Sequence, residues 1–71
     1  MVILDEITSA RLMELVVPYV GDIEYVEDLI RSHLGIDTKD LITELDGFID
    51  QEKDASTRTD LRIVRNAVEK L

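Results

Sequence analysis

The chain has 71 residues, with 16 acidic side chains against 8 basic ones, one His, one Phe, and no Cys or Trp. One small domain, residues 1–71, is expected at this length, and a hydrophobic share of 45% is that of a globular chain. Without Cys and with one His, disulfide frameworks, thiolate or multi-histidine metal sites and cysteine catalysis are excluded, and a net charge of −8 opposes binding to phosphate backbones or anionic lipid.

Met1-Val2-Ile3-Leu4 is followed by Asp5 and Glu6, and no basic region precedes an apolar stretch, so a signal peptide is not expected. The longest apolar run, Leu15 to Val20, is broken by Pro18 and is far shorter than the ~20 residues of a membrane span. A cytoplasmic protein without membrane contact is the expectation.

The periodicity is helical throughout. A first helix is expected from Asp5 to Val17 or slightly beyond, with Asp5 or Thr8 as N-cap and Pro18 as terminator. Gly21 then suits a C-terminal cap with positive φ. On the wheel of this helix, Leu4, Leu12, Leu15, Val16 and Tyr19 take one arc, and Met13, Val17 and Val20 carry it past a half-turn. That surplus of apolar surface predicts a homodimer in which Met13 and Val17 meet the same patch of a second copy. The rival arrangement has three helices, with residues 1–20 paired to another chain.

A second helix is expected to begin at Asp22. Ile23, Val26, Leu29, Ile30, His33 and Leu34 share its apolar face, and Glu27 and Arg31 form an i,i+4 pair. Leu34-Gly35-Ile36 reads as a Schellman-type end. His33, the only imidazole, reads as a partly buried side chain making one hydrogen bond.

A third helix is expected from Asp37 to about Lys53, with Leu41, Ile42, Leu45, Phe48 and Ile49 as its stripe. Phe48 sits centrally on that stripe and is the expected core anchor, its truncation costing ~3–5 kcal/mol. Asp46-Gly47-Phe48-Ile49-Asp50-Gln51-Glu52 is similar to the second half of an EF-hand loop. Placing Gly47 at the turn puts Ile42 and Lys53 where the first and last ligands belong, so no metal is expected. Asp46, Asp50 and Asp54 recur every four residues and would stack on one face, an electrostatic docking surface for a basic protein partner.

A fourth helix is expected to start near Thr57, with Thr57-Arg58-Thr59-Asp60 as a capping box. Leu61, Val64, Val68 and Leu71 follow helical spacing, and Arg58, Arg62 and Arg65 line the opposite side as a solvated face. Residues 36–54 carry seven acids against two bases, and residues 55–71 two against four. An acidic helix is thus expected beside a basic one.

Leu34-Gly35-Ile36-Asp37-Thr38-Lys39-Asp40-Leu41 resembles the segment of acyl carrier proteins in which Asp-Ser-Leu opens a helix after a Gly-containing turn. Thr38 stands at the position of the attachment serine and Lys39 at that of the following leucine. The resemblance implies an acidic carrier-like domain without its attachment serine, and it is the alternative function.

The sequence therefore predicts an all-α protein, a compact antiparallel bundle of four short helices. The expected role is a non-enzymatic protein–protein interaction module or regulator, with no catalytic residues, cofactor or metal, no direct contact with nucleic acid, and partner contacts at Asp46, Asp50, Asp54, Met13 and Val17.

Overall fold

Four aspartates begin four helices. In the computed structural model, which describes residues 1–71, α1 spans Glu6–Val16, α2 Ile23–Ser32, α3 Thr38–Gln51 and α4 Ala55–Val68. Asp5, Asp22, Asp37 and Asp54 precede them. Each carboxylate accepts from a first-turn backbone N–H, those of Thr8, Tyr25, Lys39 and Thr57 in turn. These N–H groups have no partner inside the helix, and an Asp side chain satisfies them while placing negative charge at the positive end of the dipole.

The first three starts are the expected ones, whereas the fourth is a correction. α4 opens at Ala55 under Asp54, whose carboxylate also accepts from the Thr57 hydroxyl at 2.9 Å. The Thr57–Asp60 capping box does not form. Because α3 ends at Gln51, Asp54 cannot extend a row with Asp46 and Asp50 on one helix.

The helix ends follow from local chemistry. Pro18 stops α1, and the Tyr19 and Val20 N–H groups donate back to the Val16 carbonyl. Gly21 does not adopt positive φ; its N–H donates instead to the Asp60 carboxylate. Gly35 is the one residue with positive φ, at +96°. No Schellman bond forms there. The Gly35 N–H donates to the Leu4 carbonyl, and the Leu4 N–H donates to the Ile36 carbonyl, each at 2.8 Å. Ile3 and Asp37 thus form an isolated antiparallel bridge, which holds Leu4 fully buried although it lies outside α1. At the end of α3, the Arg58 guanidinium donates to the Glu52 and Lys53 carbonyls, neutralising the negative end of that helix.

The expected all-α bundle of four helices is the fold. α4 is its axis, packing against each of the other three helices. Leu61, Val64, Ala67 and Val68 of α4 meet Leu12 and Val16 of α1, Val26 and Ile30 of α2, and Leu41 and Leu45 of α3 in one core.

Buried among these apolar residues is Asp60, only 5% exposed. Its two oxygens accept from the Gly21 N–H at 2.9 Å and the Asp22 N–H at 3.0 Å. α4 thereby grips the junction between α1 and α2, and no buried side-chain polar atom is left without a partner. Charge-assisted bonds of this kind are worth roughly 1.5–3 kcal/mol. Asp60→Ala should therefore lower the melting temperature by about 10–20 °C, read by circular dichroism. Gly21→Ala is expected to be tolerated, because its Cβ would meet the Asp60 oxygens at 3.8 Å, an ordinary contact.

Asp5 and Asp54 titrate below the ordinary value of 3.8, first because of the bonds from the Thr8 and Thr57 backbone N–H groups. A depressed folded-state value means stability present above 3.8 and lost as pH falls through the lowered values. Asn caps helices nearly as well but does not titrate. The melting-temperature advantage of the wild type over Asp5→Asn/Asp54→Asn should accordingly be full at neutral pH and decline on acidification below 3.8.

Candidate functional site

α2 and α3 both pack on α4 but not directly on one another, so side chains alone bridge the seam between them. The bridge is His33, just past the last turn of α2. Its Nδ1 lies 2.8 Å from the Leu29 carbonyl and 3.0 Å from Ser32 Oγ, and its Nε2 lies 2.8 Å from Glu44 of α3. Phe48, one turn beyond Glu44, meets the imidazole edge-on with ring centroids 6.0 Å apart. The single hydrogen bond expected of His33 is in fact a network reaching across to α3.

Ser32, His33 and Glu44 stand in the order of a hydrolytic triad: hydroxyl, imidazole, carboxylate. The Leu29 carbonyl changes what this set can do. It accepts from the Ser32 hydroxyl at 2.8 Å and faces Nδ1 at the same distance. A proton on Nδ1 satisfies that carbonyl, and a protonated Nδ1 cannot take one from Ser32. With oxygens on both sides of the ring, His33 acts as a strut between α2 and α3.

Phe48 is a correction. It is 39% exposed and stands at the rim of the seam rather than in the core. Leu41 and Leu45 fill the interior from α3, and the helix turns Phe48 toward the edge of that stripe. On the facing edge of α2, Tyr25 is also exposed, at 37%. Its hydroxyl titrates above its ordinary value, first through burial and then through the carboxylates of Glu52, Asp60 and Asp22. The two edges run antiparallel in register: His33 opposes Glu44 and Phe48, while Tyr25 lies in the field of Glu52.

The acidic row is dispersed. Asp46 receives Arg65 Nε at 2.9 Å, and Arg65 also pairs with Glu69. Asp50 is exposed and without an ion pair, and Asp54 caps α4. The acidic helix does lie beside the basic one, and Arg65 joins them. Arg65 is consequently not the freely solvated side chain expected, and Arg58 is held by the end of α3.

Met13 lies on the flank of α1 that faces α2, and Val17 is the residue that caps the end of α1. Met13 is half-buried against the core, and Val17 is 38% exposed. Met13 lines an open cleft of about 490 Å³ with Ala10, Ile30 and Leu34 as its apolar walls and Glu6, Glu27 and Arg31 at its rim. On the opposite flank, Leu15 and Tyr19 line a second depression with Ile63 and Ala67 of α4. The apolar arc of α1 thus meets two neighbouring helices in part, while Leu15, Val17 and Tyr19 remain exposed.

Thr38 is buried, and its N–H donates to the Val2 carbonyl at 2.8 Å. A carrier attachment hydroxyl must reach solvent, so this geometry gives no support to the carrier resemblance. No three acidic or imidazole side chains converge in a way that could hold a metal ion. No helix is long and apolar enough to cross a membrane.

Residues 5–71 match the model of the MJ1579 family, and the chain belongs to that family. No curated protein and no solved structure matches it.

Phe48 at the rim changes the expected energetics. Phe48→Ala should cost well under the ~3–5 kcal/mol of a buried phenylalanine, about 1 kcal/mol or less for a surface position. Thermal melts should show a shift of a few degrees, against collapse for Leu45→Ala in the fully buried layer.

Proposed function

We propose that the protein is a non-enzymatic interaction module that binds a basic segment of a partner protein through the α3 side of the bundle. The observation that carries this reading is negative charge that the fold does not neutralise. On α3 only Asp46 meets an arginine; Asp40 and Asp50 have no ion pair, and Glu44 meets only His33. Carboxylates left in water on one face repel one another and are relieved by an incoming cation, which favours fast, salt-sensitive association. The Leu29 carbonyl, within hydrogen-bond distance of both Ser32 Oγ and His33 Nδ1, competes with a Ser32-to-His33 proton transfer and supports a binding role over a hydrolytic one.

The test is a pull-down from the native organism at low and high salt, followed by quantitative binding of the retained protein. A basic partner should dissociate as ionic strength rises, because screening weakens contacts between exposed charges. Asp40→Asn/Asp50→Asn should weaken binding and flatten its salt response. A partner whose affinity is indifferent to both salt and this double substitution would overturn the reading.

A further inference from the structure

The outward face of α1 carries apolar surface that the bundle leaves uncovered. Ile7 is 83% exposed, more than any other large apolar side chain on a helix. Ile7, Arg11, Glu14 and Pro18 follow one another at spacings of four, three and four, so they form one stripe, with Leu15 at its edge. All five are exposed. A lone exposed isoleucine is ordinary, but this one has a counterpart on its own helix. About 12 Å further along the axis, Leu15 and Tyr19 form a depression with Ile63 and Ala67 of α4, of about 270 Å³ and rimmed by Asn66 and Lys70. One end of the face is thus an apolar knob, and the other end is an apolar hollow.

Between knob and hollow stand Arg11 and Glu14. Neither makes an ion pair within the chain. They are the charges of the stripe, and they cancel. That matters in a chain of net charge −8, because a second copy is repelled from most of such a surface. Rotation by a half-turn about an axis between Arg11 and Glu14 brings each arginine to the glutamate of the other copy, and each Ile7 to the other's hollow. The face is therefore complementary to itself, as a two-fold interface requires. A basic partner fits it poorly, since Arg11 and Lys70 would oppose it.

We propose that this face is occupied by a second copy of the chain. In the resulting dimer the α1 helices pack antiparallel, Ile7 of each protomer enters the hollow lined by Leu15 and Tyr19 of the other, and Arg11 pairs with Glu14 across the axis. Met13, turned toward α2, takes no part. The surface is separate from the α3 carboxylates, because α1 and α3 do not pack on one another. An interface built on one helix of 11 residues is small, so association in the micromolar range is expected.

Sedimentation equilibrium of the full chain, from low to high micromolar concentration, reads the dimer directly. Ile7→Ser should weaken it at least about 10-fold, since a buried isoleucine is lost at two equivalent places. Arg11→Glu and Glu14→Arg each set like charges against one another across the axis, and each variant alone should be monomeric. The double variant Arg11→Glu/Glu14→Arg exchanges the pair and should dimerise again. An equimolar mixture of the two single variants should also associate, because each supplies the charge that the other lacks. All three positions are exposed, so these exchanges leave the core intact, and circular dichroism melts check that each variant is folded.

A wild type that stays monomeric at high micromolar concentration overturns the dimer. A dimer indifferent to Ile7→Ser and to both single charge variants lies elsewhere and overturns the α1 face. Single variants that dissociate, yet recover neither as the double variant nor in the mixture, overturn the antiparallel two-fold pairing. None of these results bears on the α3 reading, which is decided by Asp40→Asn/Asp50→Asn against a basic partner.

Discussion

The whole arrangement depends on one buried carboxylate. Asp60 sits buried on the axial helix, where an unpaired charge would be very costly. It is tolerated because its two oxygens accept from two consecutive backbone N–H groups, Gly21 and Asp22, at the turn between α1 and α2. That turn is also where Asp22 caps α2. A single side chain therefore couples the position of α4 to the angle at which α1 gives way to α2. A hydrophobic core is permissive about such angles, since apolar contacts are non-directional. Hydrogen bonds to a fixed pair of N–H groups are directional, and they make one arrangement preferred.

The strong acidity of the chain resolves into distinct tasks. Four aspartates cap helices, Asp60 braces the α1–α2 turn, and Glu27, Asp46 and Glu69 pair with arginines. Glu44 joins His33 across the seam. Without an ion pair are Glu6 and Glu14 on α1, Glu24 and Asp28 on α2, and Asp40 and Asp50 on α3. Most of the negative charge is thus part of the architecture, and the remainder is spread over α1, α2, α3 and the loop that follows it.

The seam between α2 and α3 sets three polar side chains between two helices. Ser32, His33 and Glu44 have the spacing of a proton relay, and the Leu29 carbonyl from the preceding turn meets both the Ser32 hydroxyl and His33 Nδ1. The imidazole then serves to join α2 to α3, two helices that otherwise meet only through α4. Phe48 leans on that imidazole, so the exposed ring is held in place rather than left free to rotate into the core.

Much of this protein was legible from local sequence. Four helices, three of their caps, the break at Pro18 and the neighbouring acidic and basic helices follow from periodicity and side-chain chemistry, which act over a few residues. The misread positions are those whose partners are distant in the chain. Asp60 resembles the end of a capping box until Gly21 and Asp22 are brought to it, 39 and 38 residues away. Asp54 continues a helical row only if α3 continues, and it becomes a cap once the chain turns. Phe48 belongs to the apolar stripe by spacing, but its burial depends on which flank of α3 faces α4. The sequence by itself determined where helices start and stop, because caps and breakers act within a turn. Only the tertiary structure decided which side chains became core, brace or surface, because that depends on how four amphipathic faces close around α4.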